Sequence, residues 1–312
     1  MSKTHTHSHP PIDRASLTRF AWLSIGAAVV TISLKTAAYL LTGSVGLLSD
    51  AIESIINLVA AVMALWMLSI AARPPDESHL YGHSKAEYFA STVEAVLILV
   101  AAVGIAITAI ERLFDPRPLE QVGIGLAVSV AAALVNFFVA RTLLDAGKKF
   151  NSITLEADAD HLLTDVWTSA GVLAGVGIVA LTGWLALDPL VALLVAANIV
   201  WTAVNLLRRS VAGLMDASLP AEDKKKIEAV LDLYRQKGLD FHALRTRQAA
   251  ARRFVSVHVL VPGEWTVHDS HHIAEDIEAD IRKAIGEAAV ITHLEPIDDE
   301  ISHDDIPLDR PS

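Results

Sequence analysis

Three polar side chains interrupt an otherwise apolar stretch of the chain near residue 50. Asp50, Glu53 and Asn57 follow an i, i+3, i+7 spacing, which puts them on one face if the stretch is helical. Their carboxylate and amide oxygens can bind a divalent cation. Each charged side chain turned toward lipid at mid-helix depth would instead cost about 2.5 to 3.5 kcal/mol. The spacing therefore predicts a polar stripe that faces away from lipid.

A second stripe has the same spacing, because Asp158, His161 and Asp165 also stand at i, i+3 and i+7. Polar groups of this kind can simply hydrogen-bond two helices together. Two matching stripes that contain carboxylates and an imidazole favour a shared divalent metal ion instead. We predict that the ligands are Glu53, Asn57, His161 and Asp165, with Asp50 and Asp158 in supporting roles one turn away.

These side chains bind a metal ion only when they are deprotonated, so metal entry releases protons and protons displace the metal. A pair of such helices in a membrane would therefore exchange a metal ion for protons. Proton-coupled transport is the hypothesis that the paired stripes suggest.

Two further groups of residues carry metal-binding side chains. Asp76, His79 and His83 form the pattern D-x2-H-x3-H, which can bring three ligands around one ion, although His and Asp are also common in solvated loops. The last third of the chain has a concentration of imidazoles that favours another metal site. Its candidate ligands are His242, His258, His268, His271, His272 and His293, together with Glu295.

The hydropathy of the chain indicates which elements position these side chains. Of the 312 residues, 53% are hydrophobic and 20% charged, and the mean hydropathy is +0.43, which is too apolar for an ordinary soluble domain. Crossing the hydrocarbon core takes about 20 mostly apolar residues in a helix. Six segments are predicted to be transmembrane helices, at residues 20–41, 45–71, 87–113, 122–144, 161–181 and 189–207.

Lys and Arg concentrate on one side of these segments. Arg73 and Lys85 lie between the second and third segments, and Lys148 and Lys149 lie between the fourth and fifth. Residues 42–44, between the first and second segments, and residues 182–186, between the fifth and sixth, carry no charge. By the positive-inside rule, we expect a protein integral to the cytoplasmic (inner) membrane with both termini cytoplasmic.

The last third of the chain changes to the pattern of an α+β domain in water. A helix is predicted at 221–237, strands at 241–248 and 254–261, a helix at 267–285 and a strand at 290–294, which is a ferredoxin-like order. The predicted organisation is a cytoplasmic N-terminal tail (1–19), a six-helix transmembrane domain (20–212), a cytoplasmic metal-binding domain (213–297) and a disordered acidic tail (298–312).

The composition excludes several partners and ions. The formal net charge is −11, so nucleic acid is not an expected partner, because phosphate binding needs clustered Lys and Arg. The chain has no cysteine, which removes disulfides and thiolate ligands and makes Cu(I) an unsuitable ion. The remaining ligand types suit divalent transition metals.

Four stretches together resemble the cation diffusion facilitator family, the zinc-transporter type that includes bacterial ferrous-iron and zinc efflux pumps. They are residues 44–57, residues 82–87, His161-x3-Asp165 and residues 242–248. The resemblance covers about residues 18–296. It implies a homodimer of six-helix protomers, each with a transport site between the second and fifth helices and a cytoplasmic lobe. It also implies proton-coupled efflux of a divalent metal, with Zn²⁺ as the first candidate.

The resemblance further implies a role for each candidate ligand. In relatives the second-helix pair is Asp or His followed four residues later by Asp, whereas this chain has Glu53 and Asn57. Fe²⁺, Mn²⁺ and Co²⁺ are therefore alternatives to Zn²⁺. The loop group Asp76, His79 and His83 is similar to the family's interfacial zinc site.

The lobe and the membrane surface also match the family pattern. The residues that resemble its binuclear dimer-interface site are His242, His258, His271 and His293, with Glu295 where relatives often have Asp. Lys85 and Asp216 resemble the charge pair that links protomers near the membrane surface.

Two other functions compete with transport. A membrane-anchored metal sensor would need an output module such as a kinase or a DNA-binding domain, which the sequence does not supply, and a mere anchor would not need paired stripes. A membrane metalloenzyme needs an open metal position and a nearby acid or base. Glu94 in the third segment could formally be that group, but helix packing or proton relay suits it better. His5, His7 and His9 either collect metal or are incidental.

Overall fold

The computed structural model describes residues 14–42, 45–115, 124–184 and 186–303. The chain divides into two compact units, Ile12–Ala212 and Gly213–Ser312. The N-terminal residues up to 13, which include His5, His7 and His9, lie outside the described residues.

The first unit is a helical bundle that begins with a short 3-10 helix, Arg14–Leu17. Its described residues then form six long helices: α1 (Thr18–Thr42), α2 (Val45–Ala71), α3 (Ala86–Phe114), α4 (Ile124–Phe150), α5 (Ile153–Thr182) and α6 (Leu187–Leu214). Helix α5 begins eight residues before the predicted segment at 161, because the polar stretch 153–160 continues the same helix. Two of the acidic residues there have partners on other helices: Ser24 of α1 donates to Asp158, and Arg209 of α6 donates to Glu156.

Hydropathy supports membrane crossing for some of these helices. By length and apolarity, four spans among the described residues are suited to cross a membrane: Thr18–Leu41, Ala86–Phe114, Ala127–Phe150 and Pro189–Leu214. They belong to α1, α3, α4 and α6. The two helices with the polar stripes are not among them; α5 alone carries four acidic residues between Glu156 and Asp165. The six-span prediction is therefore supported for four helices by this criterion.

Small side chains hold this bundle together. Ala21 of α1, Ala140 of α4 and Ala159 of α5 are all 0% exposed and share a core with Leu143 and Leu162. Small residues let helix backbones approach closely, which favours helix association in a membrane. Helix α5 packs against α1, α2, α3 and α4, so its polar stripe lies inside the bundle.

The second unit contains the predicted small sheet. Its described elements are α7 (Ala221–Arg235), β1 (Asp240–Ala249), β2 (Arg252–Val261), α8 (Val267–Ile285), β3 (Ala288–Pro296) and a 3-10 helix, Glu300–His303. The predicted order of helix, strand, strand, helix and strand is confirmed. In the described part of this unit the strand order is β1-β2-β3, with β1 and β2 antiparallel and β2 and β3 parallel.

Apolar residues at helical spacing build the core of this unit. Ile227 and Leu231 on α7 and Ile277 and Ile281 on α8 are all 0% exposed, as expected of i, i+4 pairs on one helix face. They pack against the buried valines of β2, at positions 255, 257 and 259. Side chains alternate along a strand, so His258 lies on the face of the sheet opposite these valines.

The segment predicted as a disordered tail is partly described. Glu300–His303 form a 3-10 helix, and the buried Ser302 donates from Oγ to the carbonyl oxygen of Pro296 at 2.8 Å. This local bond holds the start of the segment against the end of β3. Residues 304–312 lie outside the described residues.

Candidate metal centres

Asn57 of α2 lies between two predicted ligands of α5. Its Nδ2 donates to Asp165 Oδ2 at 2.5 Å, and its Oδ1 accepts from His161 Nε2 at 2.7 Å. Asn57 and His161 are 8% and 7% exposed. Asn57 of α2 therefore faces His161 and Asp165 of α5, and one amide joins an imidazole to a carboxylate.

These hydrogen bonds define the state of the imidazole that would have to change on metal binding. In the neutral ring Nε2 carries the proton, and the buried Nδ1 has no hydrogen-bond partner among the described residues. A metal ion needs a nitrogen lone pair. A dication that replaces the bonds at Asn57 would thus require His161 either to move its proton from Nε2 to Nδ1 or to bind through Nδ1.

The other predicted members of this site have different surroundings. Glu53 and Asp50 lie on α2, but their side chains are outside the described part of the structure. Asp158 is 2% exposed and accepts from Ser24 Oγ of α1 at 2.9 Å. This bond links Asp158 to α1.

Asn136 of α4 is a member of the group that the spacing of polar residues does not predict. Its Nδ2 donates to Asp165 Oδ2 at 3.1 Å, and the side chain is 4% exposed. Two amides, from α2 and α4, thus donate to one carboxylate oxygen. The available signal was a lone amide between Val135 and Phe137 in an apolar span, since polar groups at such depth tend to face a polar interior.

The loop between α2 and α3 brings Asp76, His79 and His83 together. Asp76 Oδ1 lies 3.3 Å from His79 Nδ1, and Asp76 Oδ2 lies 3.2 Å from His83 Nε2. One ligand atom from each of the three residues lies within 4.8 Å of the others. Gly82 has φ of 82°, a left-handed conformation that glycine adopts without strain and that turns the chain back toward Asp76.

The electrostatics of Asp76 suit a ligand. Although desolvation acts to raise it, hydrogen bonds from the backbone N–H groups of His79 and Ser78 hold the pKa of Asp76 below its ordinary value. The carboxylate therefore stays ionised at mildly acidic pH and remains available to a cation. His79 is exposed and His83 is largely covered, so the group opens to solvent on one side.

The lobe histidines form a row across the sheet. His242 of β1 pairs with His258 of β2, and His258 pairs with His293 of β3. Residues in register on neighbouring strands have adjacent side chains. His242 Nε2 lies 2.8 Å from Glu295 Oε2, and His258 Nδ1 lies 3.2 Å from the same oxygen. His242, His258 and Glu295 have ligand atoms within 4.8 Å of one another, and His293 Nε2 is 3.6 Å from Glu295 Oε1.

An irregularity in β1 accompanies this row. The register shifts between His242 and Arg245, where Ala243 has φ of 49°. Such bulges bend a strand and re-aim a side chain. The bulge thus begins directly after His242, which contacts both His258 and Glu295.

Two other histidines of the lobe differ from expectation. The predicted ligand His271 lies on the first turns of α8, and its described ring contact is with His272, at 6.0 Å between centroids, so a single chain does not bring it to the strand cluster. His303, at the end of the last 3-10 helix, stands edge-on to His242 at 5.9 Å. His303 belongs to the segment that is predicted from its acidic composition to be disordered, so the sequence pattern does not indicate it as a member of this row.

The predicted inter-protomer charge pair lies at two separate places in the chain. Lys85 precedes the first residue of α3. Asp216 follows α6 and accepts from Arg247 Nη1 of the same lobe at 3.1 Å. Asp216 is thus engaged within its own unit as well as being the predicted partner of a lysine.

A bundle of apolar helices with a buried group of metal-ligating side chains, followed by a small sheet domain, defines a membrane transporter with a cytoplasmic domain. The family profile for the cation efflux transmembrane domain matches residues 21–215, and the profile for the cytoplasmic domain of cation efflux proteins matches residues 219–297. The chain therefore belongs to the cation diffusion facilitator family of cation efflux transporters. It is a transporter and not an enzyme.

Individual relatives agree over most of the chain. An uncharacterised transporter of Synechocystis sp. is 52% identical over 280 residues, which cover 90% of each chain. The cation-efflux pump FieF of Shewanella oneidensis is 30% identical over 88% of this chain and 92% of its own. The pump of the same name from Citrobacter koseri is 28% identical over 86% of this chain and 89% of its own.

Proposed function

We propose that this protein exports a divalent transition-metal ion from the cytoplasm in exchange for protons, with Zn²⁺ as the preferred substrate. The substrate ion binds between α2 and α5, where Glu53, Asn57, His161 and Asp165 provide its ligands. The cation efflux activity is that of the family. The identity of the ion, the ligands and the coupling to protons are the parts proposed.

One observation carries this proposal: the Asn57 amide bonds to both His161 and Asp165 inside the bundle. Polar groups buried in a membrane domain are costly unless they serve a polar partner. The imidazole nitrogen and the carboxylate oxygen each lie within hydrogen-bond distance of this one amide, which supports the proposal that both bind one dication.

The ligand set supports Zn²⁺ but also leaves room for other ions. Nitrogen and oxygen ligands in a four-coordinate arrangement suit Zn²⁺. A neutral amide at position 57 gives the site one negative charge fewer than a carboxylate would. Fe²⁺, Mn²⁺ and Co²⁺, which accept oxygen-rich sites, are the alternative substrates. The relative from Shewanella oneidensis is named a cation-efflux pump, which agrees with a cation as the substrate.

Proton exchange follows from the same chemistry. In the neutral ring described above the proton of His161 is on Nε2, so binding through that nitrogen needs the proton to move to Nδ1. A second proton on His161, or a proton on the carboxyl group of Asp165 or Glu53, occupies a lone pair that the metal ion needs. The substrate therefore binds as such protons leave, and protonation from the other side of the membrane releases the substrate.

The remaining metal groups are proposed to regulate a homodimer in the inner membrane, with both termini in the cytoplasm. The loop group of Asp76, His79 and His83 binds one Zn²⁺. The lobe cluster binds Zn²⁺ at the dimer interface, with His271 contributing there, and Lys85 of one protomer pairs with Asp216 of the other. The match of the chain's last third to the cytoplasmic domain of cation efflux proteins supports this arrangement.

A flux assay in proteoliposomes tests the proposal. Zn²⁺, Fe²⁺, Mn²⁺ and Co²⁺ are offered to the purified full-length protein with and without an imposed pH gradient. We expect Zn²⁺ to move fastest, to be accelerated by the gradient, and to stop in Asp165→Ala. The matched control is Asp145→Ala, which changes an acid of α4 outside the hydrogen-bonded group. Zn²⁺ flux that ignored the gradient, or that survived in Asp165→Ala, would contradict the proposal.

A further inference from the structure

Glu94 on α3 is a buried acid that has no part in the metal centres described above. It is 0% exposed, and neither of its carboxylate oxygens has a hydrogen-bond partner among the described residues. An ionised carboxylate in this setting would lack both water and a donor, at a large cost in free energy. The side chain is therefore accommodated as the neutral carboxylic acid, which requires a bound proton.

The neighbouring helix α5 carries acids and no Lys or Arg in the stretch that packs against α3. Its acids Asp158 and Asp160 precede His161, and the buried Asp158 has one oxygen, Oδ2, without a described partner. The sequence of α2 from residue 54 to 71 contains no titratable group, and the side chains of Asp50 and Glu53 lie outside the described part.

Of the basic residues on the neighbouring helices, Arg209 has an acidic partner of its own. Helix α6 meets α3 through a hydrogen bond between Ser210 and Ser91 at 2.8 Å and carries Arg208 and Arg209 one turn or less away. Arg209 donates to Glu156 at 2.6 Å. Lys148 lies near Asp160. None of these basic groups acts on Glu94 among the described interactions.

Glu94 lies at about the depth of the α2–α5 site. Helices α3 and α5 begin side by side, because Glu87 accepts from Ser152 through its carboxylate and from Thr154 through its backbone oxygen. Glu94 is seven residues beyond Glu87, and His161 is seven residues beyond Thr154. At about 1.5 Å per residue, both lie roughly 10 Å further along their helices.

We propose that Glu94 is a proton-binding residue of the transport cycle, which releases its proton when a dication occupies the site of Asn57, His161 and Asp165. This inference rests on the proposed function. The step is a proton transfer: the carboxylic acid of Glu94 gives one proton to water and becomes a carboxylate as the dication enters, and it takes a proton back when the ion leaves. The charge of the ion stabilises the new carboxylate across the interior of the protein.

The coupling works in both directions. If the metal ion favours the ionised form of Glu94, then protonation of Glu94 weakens metal binding by the same factor. Glu94 thus adds a proton to the exchange beyond those that leave the ligands. The couplings usual between two ligands of one protein correspond to factors of about 5 to 150.

Proton release measured during metal binding tests this role. Zn²⁺ is added to the full-length protein in weakly buffered detergent solution, and a pH indicator reports the protons released per Zn²⁺ bound. Glu94→Gln keeps the shape of the acid but cannot release a proton, so we expect its release to fall by about one proton per transport site. The control Glu111→Gln, an exposed acid on the same helix, should release as many protons as the native protein.

The link to the transport site is tested in a second background. In Asp165→Ala the substrate ion no longer binds between α2 and α5. Adding Glu94→Gln to this variant should therefore leave its proton release unchanged. In proteoliposomes, Glu94→Gln should reduce the stimulation of Zn²⁺ flux by a pH gradient about tenfold, and Glu94→Asp should restore part of it.

The outcomes separate this inference from the proposed function. Native protein that moves no Zn²⁺ would overturn the proposed function. Native protein with gradient-driven flux and a Glu94→Gln variant of equal proton release would overturn only the role of Glu94. A loss of bound Zn²⁺ per protein in Glu94→Gln, with the protons per bound ion unchanged, would also overturn it, because Glu94 would then be a ligand or a structural group.

Discussion

Asn57 makes the hydrogen bonds that join α2 to the polar residues of α5. With its oxygen toward His161 and its nitrogen toward Asp165, it satisfies both partners without a metal ion. A neutral amide can do this because it has a donor and an acceptor on one side chain. A carboxylate at the same position would have no donor to offer Asp165, so the identity of residue 57 affects both the metal-free state and the substrate.

Asn57→Asp should therefore strengthen Zn²⁺ binding. The new carboxylate faces that of Asp165 without an intervening donor, and a dication relieves the repulsion. We expect Zn²⁺ affinity to rise about tenfold, equivalent to about 1.4 kcal/mol, and the preference for Zn²⁺ over Mn²⁺ to increase. Competition binding with a fluorescent zinc chelator measures this. An unchanged order of ion preference would show that residue 57 is not a ligand.

Asn136→Leu should weaken binding at the same site through Asp165. The amide of Asn136 positions a carboxylate oxygen without being a predicted ligand, and loss of a group that orients a ligand typically costs about 10- to 100-fold in metal affinity. Asn198→Leu, which replaces an exposed amide on α6, is the matched control. Equal Zn²⁺ affinities for the two variants would rule out this role for Asn136.

At the scale of elements, the lobe shows how a sheet assembles a metal site. Strand register alone places His242, His258 and His293 side by side, while α7 and α8 cover the other face with apolar side chains. The core that stabilises the lobe and the cluster that could bind metal are thus on opposite faces. A change in the cluster need not disturb the core.

His258→Ala should remove Zn²⁺ from the lobe while the lobe stays folded. His258 is the central residue of the row, and without it only two of the three clustered ligands, His242 and Glu295, remain. We expect lobe affinity to fall by more than about tenfold, as measured by calorimetric titration of the full-length protein. His268→Ala is the control, since His268 lies on α8 with its ring against His272. A greater loss in His268→Ala would place the site at the start of α8 instead.

Sequence pattern predicted most of these elements but only part of each site. Asn57, His161 and Asp165 were predicted because an i, i+3, i+7 spacing inside apolar runs can be read without coordinates. Asn136 was not, because a lone amide in an apolar helix has no spacing partner that shows which neighbour it meets. His303 was missed because acidic composition favoured disorder, and the bond from Ser302 to Pro296 depends on geometry. The bulge at Ala243 likewise has no distinctive sequence signal.

At the scale of the whole molecule, the proposed homodimer depends on a contact between Lys85 of one protomer and Asp216 of the other. Asp216 already accepts from Arg247 in its own lobe, so a lysine from a second protomer would join an existing ion pair. Networks of several charges contribute more than isolated surface pairs. The lobe would then present this acid in a fixed orientation.

Lys85→Glu should weaken the dimer. The substitution places a negative charge opposite Asp216 of the second protomer, and like charges repel. We expect light scattering after size exclusion to show dimer in the native protein and partial dissociation in Lys85→Glu. Arg247→Gln, which removes only the partner within the lobe, should leave more dimer than Lys85→Glu does. The reverse ranking would assign the contact to Arg247 and not to Lys85.

The row of imidazoles in the lobe has a further consequence for which ions it accepts. Backbone hydrogen bonds hold neighbouring strands about 4.7 to 4.9 Å apart, so the distance between the backbone positions that carry the ligands is fixed. An ion that needs longer or shorter distances between its ligands can be accommodated only by rotation of the side chains, because the separation of the strands is fixed. Small ions that need few nitrogen and oxygen ligands fit this row. Ca²⁺ takes six to eight oxygen ligands, and the row has too few oxygen atoms to bind it.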